Sequence, residues 1–285
     1  IFWCGHEHRA DGSGMSALPA VRASPEVALL LERARALWPL ASARWKLRGG
    51  VLEGVGRALE CAAAPSGLTG EGPIWTEGDD LAPPVTVVGL SSAALLVRAV
   101  ETRRGLLQYL PRVLVIEPRA EVALAALARY AEAAGADAAR RLLEAPGVEW
   151  FIGPDGMPAF EAWLGEHVDD PLPKETLAGG ASAELAGAVA RVLGEAHARQ
   201  QALMRERVGT LRRQASDRRR RESVRGRWRE GAGLRLLVAT SRFSTYMRHS
   251  AADLAGTLNE LGHEAKLLTE PDDHTRMTQL HYLRA

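Results

Sequence analysis

The sequence predicts an α/β protein: a parallel-sheet domain, a long linker helix, then the start of a second parallel-sheet domain. Three observations carry this. Residues 85–89, 113–118 and 148–152 are apolar runs of strand length, separated by helix-length segments with no hairpin signal between them. Residues 183–211 keep a single apolar stripe at helical spacing, made of Leu185, Val189, Val192, Ala196 and Leu203. Residues 234–270 read strand, loop, helix, strand over the length of a parallel βαβ unit. The expected organisation is a lead-in over 1–70, partly disordered and then helical, an α/β domain over 71–170, an arginine-rich helix over 181–230 and the second domain from 231 to 285.

Composition bounds the rest. A chain of 285 residues, 46% of them hydrophobic, has room for two domains with real cores. The net charge of +1 selects no partner. Lys46, Lys174 and Lys266 are the only lysines, so the other basic residues are arginines, as a GC-rich genome would give. Cys4 and Cys61 form no disulfide framework, which fits a reducing cytoplasm, the expected compartment. No run of eighteen apolar residues is present, so no membrane span is expected. Cys4, His6 and His8 lack the further ligands that a zinc site needs, and no metal is expected. The sequence opens on Ile1 with an aperiodic stretch, and 275–285 reads as a helix begun after Asp272 and Asp273. The chain therefore reads as an open-ended fragment.

Taken in order, Ser24 and Pro25 open the first helix as cap and first helical residue, and it runs to about Leu37. Trp38, Trp45 and the Gly49-Gly50 break indicate a short helical or mixed segment after it. Residues 67–84, rich in Gly, Pro and acids, read as a linker. The first strand, 85–89, turns at Gly89 into Leu90, Ser91 and Ser92 and then a helix. The second strand ends in the carboxylate of Glu117 and leads into a helix over 121–130. The third closes in a turn at Gly153-Pro154-Asp155-Gly156.

A glycine turn after the first strand and an acid at the tip of the second resemble the Rossmann-type nucleotide arrangement, in its methyltransferase variant. That resemblance implies backbone amides near Gly89 and Ser91 for a phosphate or methionine moiety, and Glu117 for ribose hydroxyls. The sequence departs from the family's G-x-G-x-G at Gly89-Leu90-Ser91-Ser92-Ala93, where one glycine is kept and two serines carry Cβ atoms at the approach. The sheet also resembles the Rossmann-like region of motility-accessory flagellin glycosyltransferases. On the residues alone, Gly89 is a turn residue and Glu117 a strand-end residue.

Residues 171–180, PLPKETLAGG, read as a second boundary before the long helix. From Arg205 to Glu230 eleven arginines stand against four acids. Such a run can track phosphates or an anionic membrane face, but only Trp228 is interleaved with it. No nucleic-acid motif accompanies it, so a solvated interdomain helix is expected, with peripheral membrane contact left open.

The last stretch organises the functional reading. Leu234, Leu236, Leu237, Val238 and Ala239 form a strand ended by Thr240-Ser241-Arg242. Ser250 is expected to cap the following helix, with Asp253 completing the cap and Leu254, Leu258 and Leu261 as its buried stripe. Gly262 ends it. The strand, the Thr-Ser-Arg-Phe loop and the element Leu258-Asn259-Glu260-Leu261-Gly262-His263-Glu264 resemble the opening of a GT-B glycosyltransferase N-terminal domain, nearest to the bacterial spore-maturation type. The resemblance covers about the last fifty residues, with Ala265 in place of the family's valine. It implies a sugar transferase that takes a nucleotide-sugar donor and an acceptor of unknown identity. It also implies that the donor domain lies outside this chain, so that these residues alone carry no activity and hold no cofactor. Ser241, Arg242 and Phe243 would face the substrate, since ligands gather at the carboxyl ends of parallel strands. His249, the kind of side chain that can exchange protons near neutral pH, would be the general base or an exposed helix-start residue. His263 is expected to be a turn residue. The alternatives are a methyltransferase using residues 85–155, or a non-enzymatic binding module.

Overall fold

The computed structural model describes residues 83–91, 93–103, 109–221 and 233–285, together with 21–22, 26, 29–30, 33–34, 46–48 and 51–53. Three short strands near the start, β1 (Val21–Arg22), β2 (Lys46–Arg48) and β3 (Val51–Glu53), pair antiparallel in the order β1-β3-β2. Cys4, His6 and His8, residues 67–82 of the linker expected over 67–84, and Ser92 fall outside the described residues.

The main body is a Rossmann-like α/β layer. β4 (Val85–Val88), β5 (Val113–Glu117), β6 (Val148–Ile152) and β7 (Glu175–Ala178) form a wholly parallel sheet in the order β6-β5-β4-β7. Every residue of β4 and β5 is buried, because helices cover both faces and leave no solvated side to take polar residues. The pleat divides them. Val85, Val87, Val113 and Val115 enter one core with α1 (Ala94–Thr102), α2 (Ala120–Ala134) and α3 (Ala136–Leu143). Val88, Leu114 and Ile116 enter the other, with α4 (Gly156–Glu166) and the start of α5 (Ala183–Arg221). Alanines at 123, 126, 128 and 131 line the buried face of α2 and let it lie close to the sheet. Leu30 and Ala34, both helical, pack into the first core.

The stretch 171–180, read above as a boundary, supplies the sheet's fourth strand. β7 pairs with β4 in register, Val85 opposite Glu175 and Val88 opposite Ala178. The edge position explains why it was missed. A four-residue strand with one covered edge needs no long apolar run, and Pro173 and Gly179 frame it like a turn.

α5 extends ten residues past the expected stripe, to Arg221. Beyond it β8 (Arg235–Ala239) and β9 (Glu264–Leu268) form a parallel pair with α6 (Thr245–Glu260) between them, as the strand–helix–strand reading requires. Two details of that reading are corrected. α6 starts six residues early, capped by Ser244, whose hydroxyl accepts the Met247 amide at 3.3 Å, so Ser250 lies inside the helix. Its buried residues are Ala251 and Ala255, whereas Leu254 and Leu261 are exposed. Two strands about 4.8 Å apart cover only the centre line of the helix, and the leucines fall on its flank.

The final segment also differs from expectation. The terminal helix α7 (Gln279–Arg284) is capped by Thr278, with the His281 ring accepting the Thr278 amide at 3.0 Å. Asp272 and Asp273 do not cap it. They bind Arg112 and Arg242 instead. Among the described residues no helix is long and apolar enough to cross a membrane.

Candidate functional site

In a sheet of this order the strand sequence reverses between β4 and β7, and the loops leaving those two strands frame the crevice where ligands of doubly wound sheets sit. Gly89 turns the chain out of β4 at φ 78°, a conformation that L-residues rarely adopt. Its amide bonds to the Ile116 carbonyl at 2.8 Å. The Glu117 carboxylate, 1% exposed as a residue, accepts the Leu90 amide at 2.9 Å with one oxygen and the Arg119 amide at 3.0 Å with the other. The acid at the tip of β5 thus closes the turn that follows β4.

The opposite wall of the crevice comes from the segment after β7. Ser91 sends both its amide and its hydroxyl to the Gly179 carbonyl, at 3.0 and 2.8 Å. A Cβ on Gly89 would stand 2.5 Å from the Ala181 nitrogen, and one on Gly180, at φ 90°, would collide with the Ser91 hydroxyl. The donors that would cradle a phosphate are therefore satisfied by the chain itself. Gly89 and Glu117 occupy the turn and strand-end positions read from the sequence, and with Ser91 they bond to the chain itself. The sequence reading missed Gly179 and Gly180, for which the Gly-Gly pair at a presumed boundary was the available signal. On the face bearing α1 and α2 lies a cleft of about 530 Å³, lined by Ser91, Val97, Arg98, Glu101, Arg129 and Tyr130 among others.

At the second parallel pair, the loop between β8 and α6 holds Ser241, Arg242 and Phe243, as expected. Each is half-buried, and two of the three are committed to the fold. Arg242 donates its amide to the Glu270 carboxylate at 2.8 Å and its guanidinium to the Pro271 carbonyl at 2.8 Å, and pairs with Asp273 at 2.9 Å. Phe243 meets the buried Tyr109 edge-on, with ring centroids 6.5 Å apart. Ser241 accepts the Phe243 amide at 3.3 Å, and its hydroxyl proton has no acceptor among the described residues. His249 does not lie on this loop. It sits in the second turn of α6 with an exposed side chain, and no partner orients it among the described residues.

The loops after β8 and β9 rest against the amino-terminal edge of the four-stranded sheet, the edge opposite the Gly89 turn. There His274 donates from Nδ1 to the Leu110 carbonyl at 2.9 Å, and Asp273 accepts the Leu110 amide at 3.1 Å. Arg112 bridges Glu149 at 2.6 Å and Asp272 at 2.7 Å. Burial opposes ionisation of the Asp272 carboxyl, but the His274 amide, the Thr275 hydroxyl and the Arg112 charge outweigh it and hold its pKa below the ordinary value. Burial pushes the Tyr109 phenol up to about 12, against the nearby charges of Arg276 and Arg112. Asp169, 7% exposed, binds Arg207 and Arg284, each at 3.0 Å.

Comparison with protein-family models, curated proteins and solved structures returns no match. The geometry therefore stands alone. Among the described residues no group of three His, Cys, Asp or Glu side chains is placed to hold a metal ion. The element that carried the sequence resemblance has a local logic. The Asn259 side chain accepts the Ala265 amide at 2.7 Å and donates to the Ala265 carbonyl at 3.2 Å, so it fixes the first rung of β9. Gly262 takes φ 84° to leave the helix. His263 accepts the Leu234 amide at 3.3 Å and ties the start of β8 to the end of α6. These residues build the βαβ unit, and His263 is a turn residue with a structural bond.

Proposed function

We propose that this chain supplies the acceptor-facing part of a glycosyltransferase that uses a nucleotide-sugar donor. The observation that supports the reading is the β8–α6–β9 unit, a parallel strand–helix–strand held by Asn259, Gly262 and His263 within the sequence element that resembles the glycosyltransferases. The methyltransferase alternative is disfavoured, because residues 179–181 occupy the crevice its cofactor would need. Within the transferase reading Arg242 and Phe243 set the shape of the loop, and Ser241 is the residue whose hydroxyl proton can meet an acceptor. The compartment that goes with this reading is the cytoplasm, where nucleotide sugars are made.

The test is release of nucleoside diphosphate from a panel of UDP-, GDP- and dTDP-sugars by the gene product that carries this chain. Ser241→Ala should lower kcat/KM for the acceptor roughly tenfold, the worth of about one hydrogen bond, and leave the donor KM unchanged. No release from any sugar nucleotide would sink the proposal.

A further inference from the structure

α5 is a single helix of 39 residues, about 58 Å long at 1.5 Å per residue. Its two halves live in different surroundings. Val189, Val192, Leu193 and Ala196 are buried against the sheet, and Arg207 anchors the helix through Asp169 and the Leu280 carbonyl. From Leu211 to Asp217 every residue is exposed, so here the helix stands clear of the body on all sides.

The projecting half is strongly cationic. Between 205 and 221 the helix holds Arg205, Arg207, Arg212, Arg213 and the block Arg218–Arg221 against Glu206 and Asp217. Register sorts these charges. Arg205, Arg212 and Arg219 recur every seven residues, with Arg213 and Arg220 one step on. At about 100° per residue these five helix positions share an arc of roughly 120°, in rungs about 10.5 Å apart, with the positions of Glu206 and Asp217 along one margin of it. Arg207 falls on the other side, where it is held by Asp169. Arg205 and Arg213 donate within their own helix, to the Gln201 carbonyl and the Thr210 hydroxyl, which orients them without cancelling charge. Arg205, Arg212 and Arg213 have no carboxylate partner among the described residues. Asp217 stands four residues from both Arg213 and Arg221, the mixed-sign spacing of a solvated helix, yet eight arginines against two acids still leave this half with a net charge of +6.

We propose that the Arg205–Arg221 half of α5 is a docking surface for the phosphodiester backbone of a nucleic-acid duplex. Charge complementarity selects a polyanion, and guanidinium forks match phosphate oxygens two at a time. A membrane surface is the poorer fit, because a helix lying in lipid needs a broad apolar face with large residues. This half offers only Val208, Leu211 and Ala215. A rod of this width enters a major groove about 12 Å wide. Nothing in it reads base edges, so the binding is independent of sequence and governed by salt.

The experiment uses the complete 285-residue chain and a fluorescein-labelled 20-base-pair DNA of scrambled sequence, followed by anisotropy between 50 and 200 mM NaCl. The logarithm of the affinity should fall linearly with the logarithm of salt, with a slope of about −4 to −5 for five phosphate contacts. Replacing Arg212, Arg213, Arg219 and Arg220 together by glutamine should weaken binding at least a hundredfold at 50 mM NaCl and bring the slope to about −1. The matching lysine variant should stay within about tenfold of the parent, because it keeps the charges. Circular dichroism of each variant verifies that the helix persists. The proposal is overturned by absence of binding at 50 mM NaCl, by parental affinity in the glutamine variant, or by equal losses in the lysine and glutamine variants. Tighter binding to phosphatidylserine vesicles than to the duplex overturns it equally.

Discussion

The Glu117 carboxylate accepts the Leu90 amide proton at 2.9 Å, joining the tip of β5 to the turn after β4 from the inside of the molecule. In a nucleotide-binding sheet the acid at this place serves a ligand. Here its second oxygen takes the Arg119 amide, so both are occupied by the backbone. Glu117→Ala should therefore destabilise the chain by about 1–3 kcal/mol, as expected when buried amides lose their acceptor, measured by urea unfolding. Calorimetry should find no micromolar binding of S-adenosylmethionine. Micromolar binding that vanished in Glu117→Ala would restore the methyltransferase reading.

Gly180 faces Ser91 at φ 90°, where a side chain meets both backbone strain and a collision. Gly180→Ala should cost on the order of 1–3 kcal/mol. Gly180→Ala/Ser91→Gly relieves the collision and leaves the strain, so it should recover part of the loss. Thermal unfolding of the two variants separates these contributions, and identical melting temperatures would mean that the contact is immaterial.

The Arg112–Asp272 pair predicts a pH-dependent clasp. The folded pKa of Asp272 lies below its ordinary value of 3.8, so the carboxylate's contribution is present above that value and is lost as the pH falls through the folded one. Limited proteolysis at Arg276 should therefore accelerate below pH 4. Asp272→Asn should show faster cleavage already at pH 7, and its acceleration on acidification should be smaller than the parent's.

Tyr109 acts at the other end of the scale. Its phenol titrates near 12, above the ordinary 10.0, so the stability it contributes is intact below pH 10 and is lost as the pH rises towards 12. Tyr109→Phe should flatten the alkaline limb of the unfolding curve in that interval. An unchanged limb would show that the phenol is not held neutral by the fold.

His249 is exposed within α6 and has no orienting partner among the described residues. A general base would lose roughly 10²–10⁴ in kcat on replacement. His249→Ala in the gene product carrying this chain should instead keep near-native turnover, with stability changed by less than about 0.5 kcal/mol. A loss of a hundredfold or more without unfolding would return His249 to catalysis.

β4 and β5 were legible because a strand covered on both faces is apolar nearly throughout, Thr86 and Glu117 excepted. β6, the other edge strand and half-buried at its start, was legible because Val148, Trp150, Phe151 and Ile152 still make an apolar run. β7 was not, because an edge strand next to one neighbour forms on little more than Leu177 and Ala178. The start of α6 was misplaced because Ser244 and Ser250 are equally good caps by composition. Only the position of the β8 terminus decides between them. The relation between Glu117 and Leu90 was invisible for a different reason. An acid at a strand tip looks the same in sequence whether a ribose or the neighbouring turn receives it. Asp272 and Asp273 were read as a local cap, since sequence shows the nearest helix and not Arg112, 160 residues away.

The clasp formed by residues 272–284 also bears on how the chain matures as it is synthesised. Arg112 and Asp169 are made early, yet Asp272 and Arg284, two of their counter-charges, are made more than a hundred residues later. The four strands of the main sheet are complete once Ala178 has been made. A nascent chain can thus fold its core while carrying an incompletely neutralised Arg112 and an incompletely neutralised Asp169 at its surface. These sites would be quenched only when the late residues arrive, a delay of several seconds at roughly 5–20 residues per second. In that interval the young protein presents a pair of opposite charges that the mature one conceals. A chaperone or a second nascent chain would meet a different molecule from the one described here.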